Sequence, residues 1–143
     1  MEPSRCTSEI PAARIDPSRC AAQALNVICA TATTPPTHEI LVLVLDECQR
    51  GISILMVHDT FVRDAVYEVS RIVARGAPVG VRASAVVASI RPGGRADASD
   101  INRWYACDAL LAEAGVVLLE WFVISDRVDC PRSLASEPPR WPV

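Results

Sequence analysis

Apolar residues recur along the chain in two different spacings, and the switches between them mark its elements. Asp16-Pro17-Ser18 places an acceptor side chain before a proline that has no N–H to lose, which predicts the start of a short helix running to about Ala30. Pro35-Pro36 forces a connector, because a residue before proline disfavours the helical region. Glu39 to Asp46 is then largely aliphatic, Asp46-Glu47-Cys48-Gln49-Arg50-Gly51 is polar, and Ile52 to Val57 is apolar again. This pattern predicts a β-hairpin whose strands are largely buried. From Thr60 the positions Val62, Ala65, Val66, Val69, Ile72 and Val73 recur at steps of three and four, the stripe of an amphipathic helix that Gly76 would end.

Val81 to Ile90 predicts a third strand, stopped by Arg91-Pro92-Gly93-Gly94-Arg95. Ser99 is the expected N-cap of the next helix, with Asp100 in the first turn and Ile101, Trp104, Cys107, Leu111 and Ala114 as its stripe before Gly115. Trp104 and Trp121 are expected core residues. Val116 to Ile124 predicts a fourth strand. Beyond Asp129 the chain carries Pro131, Pro138, Pro139 and Pro142, so an irregular tail is expected, with Trp141 as its anchor. The order α, β, β, α, β, α, β predicts an α/β fold, a three-layer-like sandwich with a mixed sheet, a β-hairpin and helices on the faces. The expected organisation is a flexible segment over 1–15, one domain over 16–134 and a Pro-rich tail over 135–143.

Composition narrows the function classes. Half of the 143 residues are hydrophobic and 22% are charged, which excludes an intrinsically disordered chain. The net charge is −3 and the seven aromatics (three Trp, two Tyr, two Phe) are scattered among scattered arginines, so no basic stripe with stacking platforms emerges. Nucleic acid is therefore not an expected partner. The longest unbroken aliphatic run, Ile40 to Leu45, falls far short of the roughly 20 residues of a membrane-spanning helix. Met1 to Ile15 holds no apolar secretory core, and the expectation is a cytoplasmic protein without membrane association. The six cysteines form no Cys-x-x-Cys pair and are expected as reduced thiols, with Cys20, Cys29 and Cys107 on helices as small buried hydrophobes.

The loop after the third strand carries the most specific signal. Ser89-Ile90-Arg91-Pro92-Gly93-Gly94, followed by the helix start at Ser99 to Asn102, then Val117-Leu118-Leu119-Glu120-Trp121-Phe122-Val123-Ile124 and Arg132-Ser133-Leu134, resembles the RadC-like branch of the JAB/MPN metalloprotease-like family. The likeness covers about Asp16 to Leu134 in layout and implies a JAB/MPN-like, cytidine-deaminase-like topology. In that family the loop reads His-x-His-Pro-x-Gly, with a Ser-x-x-Asp helix start. The two histidine zinc ligands fall on Ser89 and Arg91, the ligating aspartate on Asn102, and the general-base glutamate at or near Ile54. A catalytic zinc needs three lone-pair ligands and a base for its water, and a guanidinium repels a divalent cation. The resemblance thus implies a metal-free relative with no catalytic residues and no cofactor.

Two functions follow as expectations. The first is a non-catalytic protein-interaction module whose partner is another protein or a second copy of the chain. The alternative is a small-anion or phosphate-ligand site formed by Ser89, Arg91, Gly93, Gly94, Arg95, Ser99 and Asn102, with glycine backbone and helix-start N–H groups as donors. A third reading, an unrelated enzyme built on His58-Asp59, meets the objection that adjacent strand residues point to opposite faces.

Overall fold

The computed structural model describes residues 10–141. In chain order the elements are α1 (Ala21–Thr31), β1 (Glu39–Leu45), β2 (Gly51–His58), α2 (Ala65–Gly76), β3 (Ala83–Ile90), α3 (Ser99–Glu113), β4 (Val116–Ile124), β5 (Val128–Asp129) and α4 (Pro131–Leu134). The strands form one mixed sheet in the order β2-β1-β3-β4-β5. β1 pairs antiparallel with both β2 and β3, β3 pairs parallel with β4 through the α3 crossover, and β5 pairs antiparallel with β4.

The uninterrupted apolar runs of β1, β3 and β4 are explained by a sheet covered on both faces, whereas β2, expected as a buried strand of the hairpin, is only half-buried to exposed at the sheet edge. Along β1, Ile40 and Val42 join a core that also holds Val66 and Val69 of α2 and Trp104 and Leu111 of α3. Leu41, Leu43 and Leu45 turn the other way, onto Ala24 and Ile28 of α1. The order of layers is α1, sheet, α2 with α3, as the sandwich pattern predicts. Both expected core tryptophans are buried, Trp104 and Trp121 on the α2/α3 side. In β4 the alternation slips by one at Leu119, where the register with β3 shifts between Ala85 and Val86. That irregularity lets Leu118 and Trp121 serve the same core although they are three residues apart.

Several expected boundaries move. Asp16-Pro17 does not start a helix. The Asp16 carboxylate accepts the Ala12 N–H at 3.1 Å, Pro17 bridges to Arg50, and the Arg14 and Ser18 N–H groups donate to the carbonyls of Gly51 and Gln49, so this segment lies along the hairpin. Helix α2 begins at Ala65 and not at Thr60, which leaves Val62 exposed outside the stripe, and Ile72 is half-exposed within it. The tail carries a single-turn helix at Pro131–Leu134, and Trp141 packs on the α1 side of the core as an anchor. Residues 1–9 of the expected flexible segment and residues 142 and 143 of the tail lie outside the described residues. Residues 10–15 are mostly exposed.

The thiols diverge from one expectation. Cys107 is buried, but Cys29 and Cys48 are exposed, and Cys20 is disulfide-bonded and not a reduced thiol. Among the described residues, no helix is long and apolar enough to cross a membrane.

Candidate functional site

The loop Arg91–Ala98 leaves the end of β3 and turns back into α3. Its first turn closes with the Gly94 N–H donating to the Arg91 carbonyl at 2.8 Å, with Pro92 and Gly93 in the middle and Gly93 at φ 74°. A proline followed by a positive-φ residue is the requirement of a type II turn, so Gly93 is explained by backbone geometry. Gly94 is tight: a Cβ there would stand 3.3 Å from the Arg91 Cβ.

Arg91 extends from this turn under α3 and is almost fully enclosed. Its two terminal amino groups donate to the two carboxylate oxygens of Asp100, at 2.9 and 3.0 Å. Its guanidinium carbon lies 5.6 Å from the ring centre of Trp121, whose indole N–H donates to the Ser89 hydroxyl at 3.0 Å. Asp100, itself wholly buried, also accepts from Arg103 at 3.1 Å and from the Asp97 N–H at 3.1 Å. Burial alone would raise the Asp100 pKa, but the hydrogen bonds from Arg91, Asp97 N–H and Arg103 outweigh it and hold the carboxyl below its ordinary value. Arg103 reaches on to Asp64 at 2.8 Å, and Arg63 of the same α2 approach pairs with Asp97 at 2.6 Å. The network ties loop, α3 and the start of α2 together.

Ser99 is not the N-cap. The residue before α3 is Ala98, which offers no capping side chain, and the Asp97 carboxylate instead accepts the Ser99 N–H at 2.9 Å along with its hydroxyl. Asp97 and Asp100 thus satisfy the start of α3 reciprocally, in the manner of a capping box. Hydrogen bonding to Ser99 leads the causes that hold the Asp97 carboxyl low.

Of the seven residues read as a remnant site, Ser89 and Arg91 are brought together beneath α3, and Gly93 and Gly94 form the turn. Arg95 is exposed and lies 3.9 Å from Asp129, while Asn102 is exposed on α3. The geometry speaks against the anion alternative: both terminal amino groups of Arg91 already serve Asp100, and two carboxylates crown the helix start. The partner of Arg91 is Asp100. The donor set does not fit a zinc ion either, since Ser89 accepts from Trp121 and Arg91 brings a positive charge. Among the described residues, no group of three or more His, Cys, Asp or Glu stands together to hold a metal.

No protein-family model and no curated protein matches the chain.

Sequence reasoning missed a second polar cluster at the same end of the sheet. Glu39 is fully buried at the start of β1, and its carboxylate accepts the Thr33 N–H at 2.7 Å and the Thr33 hydroxyl at 2.8 Å. His58 Nδ1 lies 3.1 Å from the same oxygen that accepts the Thr33 hydroxyl. The signal available was a lone charge opening an aliphatic run, opposite a histidine closing the next. The partner of His58 is therefore Glu39 and not Asp59, while His38 stacks against Phe61 with ring centres 4.9 Å apart. Ile54, at or near which the resemblance puts the family's general base, pairs with Leu43 in mid-strand and packs on the α1 side. Glu39 shares that face, since it stands opposite His58 and Ile90, so the sheet separates it from Arg91 and Asp100.

Proposed function

We propose that this chain is a non-catalytic binding module on a frame that resembles the RadC-like JAB/MPN domains, with an internal ion pair standing where that family holds its metal. The observation that carries the reading is the buried Arg91–Asp100 pair. Its guanidinium lies at the position the resemblance gives to a zinc-ligating histidine, beside Ser89 at the other. A fixed internal cation and its carboxylate fill the space with a charge-balanced, hydrogen-bonded unit, which holds the loop shape without a metal.

The chemistry at hand supports binding and not hydrolysis. A hydrolase needs a nucleophile or activated water beside a free base. Here Asp97 and Asp100 are bound by arginines and by the helix start, and the Ser99 hydroxyl is engaged by Asp97. Glu39 is held by Thr33 and His58 on the opposite face of the sheet. The conclusion is a protein-interaction domain, with a protein or a second copy of the chain as its partner.

The test is zinc content by elemental analysis of chain purified without chelators, together with peptide- and isopeptide-cleavage assays in added zinc. The expected result is substoichiometric zinc and no cleavage. One zinc per chain accompanied by cleavage would overturn the reading.

A further inference from the structure

Strand β2 is the outer strand of the sheet, and its six residues Ile52-Ser53-Ile54-Leu55-Met56-Val57 contain no charge and no proline. Folded proteins blunt such edges with charges, proline or a covering segment, because a row of free N–H and C=O groups on an apolar strand recruits another strand. The chain does cover one end. Its N-terminal arm lies against the hairpin where the Arg14 N–H donates to the Gly51 carbonyl, and Pro17 bridges to Arg50. At the other end the Thr60 N–H turns back to the His38 carbonyl. Between those limits, among the described residues, nothing pairs with the outer edge.

We propose that this edge is a homodimer interface, in which β2 of two copies pair antiparallel about a two-fold axis at Leu55. A two-fold axis perpendicular to a sheet must pass between identical residues, so the register is centred on one residue of the window. Ile54 as centre would set Gly51 opposite Val57 of the partner subunit, where the arm already stands. Leu55 as centre pairs Ser53 with Val57 of the partner subunit and Ile54 with Met56 of the partner subunit, and it sets Gly51 and the arm opposite Asp59 of the partner subunit, one residue past the end of β2.

Charge selects a second copy over a foreign strand. Arg14, exposed at the arm end of the window, makes no side-chain ion pair among the described residues, and neither does Asp59, exposed just past the other end. The antiparallel arrangement brings Asp59 of the partner subunit in line with Arg14, and does so twice. Apolar surface flanks the edge on both faces. On the α2 side a groove of about 330 Å³ is lined by Ile52, Leu55, Ile72, Val73 and Val81, of which Ile72 and Val81 are about half-exposed. On the α1 side a groove of about 290 Å³ is lined by Pro11, Ala13, Val27, Leu43 and Ile54. Pairing two copies brings each groove beside its symmetry mate and extends the sheet across both.

This inference goes beyond the proposed function and does not depend on Arg91, so the zinc measurement and the one below fail separately. Light scattering of the full chain across a concentration series is expected to show twice the 15.4 kDa chain mass, falling to one on dilution. Backbone amides of Ile52–Val57 are expected to exchange with deuterium more slowly as concentration rises. Ser53→Lys puts an ammonium on the exposed edge and is expected to weaken dimerisation at least about tenfold with the same circular dichroism and melting cooperativity as the parent chain. Arg14→Glu, which faces Asp59 of the partner subunit with a like charge, is expected to act in the same direction. A parent chain that stays monomeric, a dimer indifferent to both substitutions, or a foreign partner that binds this edge while copies do not, would each overturn the proposal.

Discussion

Arg91 gives both of its terminal amino groups to the carboxylate of Asp100, nine residues further on, in a pair closed off from water. Breaking a buried pair from one side strands the other charge, whereas replacing both members with apolar residues removes the desolvation cost as well. Arg91→Ala is expected to cost about 3–5 kcal/mol. Arg91→Met with Asp100→Leu is expected to cost less than the two single changes added together, by about 0.5–3 kcal/mol. Urea unfolding of the four chains measures this coupling, and additive costs would show that the pair acts as two independent groups.

Stability should depend on pH through the same carboxylate. Its folded pKa lies below its unfolded value of about 3.9, so the unfolded chain takes up the proton first as pH falls. The contribution is complete above that value and is lost as pH drops through it toward the folded pKa. Glu120 works in the opposite sense: burial raises its pKa despite the hydrogen bond from Arg132, so ionising it costs stability as pH rises from its unfolded value through the folded one. Urea midpoints between about pH 3 and 7 are expected to fall on the acid side, and less steeply in the Arg91→Met, Asp100→Leu chain.

Gly93 and Gly94 should differ in what they tolerate. Gly93→Ala forces a Cβ into the left-handed region at φ 74°, an expected loss of about 1–2 kcal/mol with open space around the new methyl group. Gly94→Ala meets the Arg91 Cβ at 3.3 Å, so its cost depends on how far the ion pair can shift. Removing the Arg91 side chain beyond Cβ should therefore change the penalty at Gly94 and leave that at Gly93 unaltered. Thermal melts of the single and paired substitutions decide this.

The thiols should react in a set order. Cys48 is exposed, Cys29 is exposed with its pKa raised by burial, and burial pushes Cys107 and Cys130 up to about 11. Since the thiolate is the reactive form, alkylation at pH 8 is expected at Cys48 first, at Cys29 more slowly, and at Cys107 only on unfolding. Peptide mapping after timed iodoacetamide quenching reads the order; early modification of Cys107 would contradict its buried place on α3 against Val66 of α2.

Local spacing along the chain was enough for the sandwich. Strands that alternate their side chains between two covered faces read as aliphatic runs, which is why β1 and β4 were legible as continuous stretches and α2 as a stripe. Turn chemistry was legible too, because Pro92 and Gly93 act on their own backbone. Other contacts join residues far apart in sequence or depend on which carboxylate the chain brings under a helix. Ser99 looked like a cap until Asp97 took that role, and Asp16-Pro17 looked like a helix start until the arm lay down on the hairpin. Glu39 and His58 sit nineteen positions apart and meet because β1 and β2 pair in one register.

By itself, then, the sequence determined the order of elements, the two-faced core and the Pro-Gly turn, all set by short-range backbone preference and burial. Only the tertiary structure decided that Arg91 belongs to Asp100 and that β2 is left on the outside, because charge pairing and strand order depend on how distant segments fill the same space.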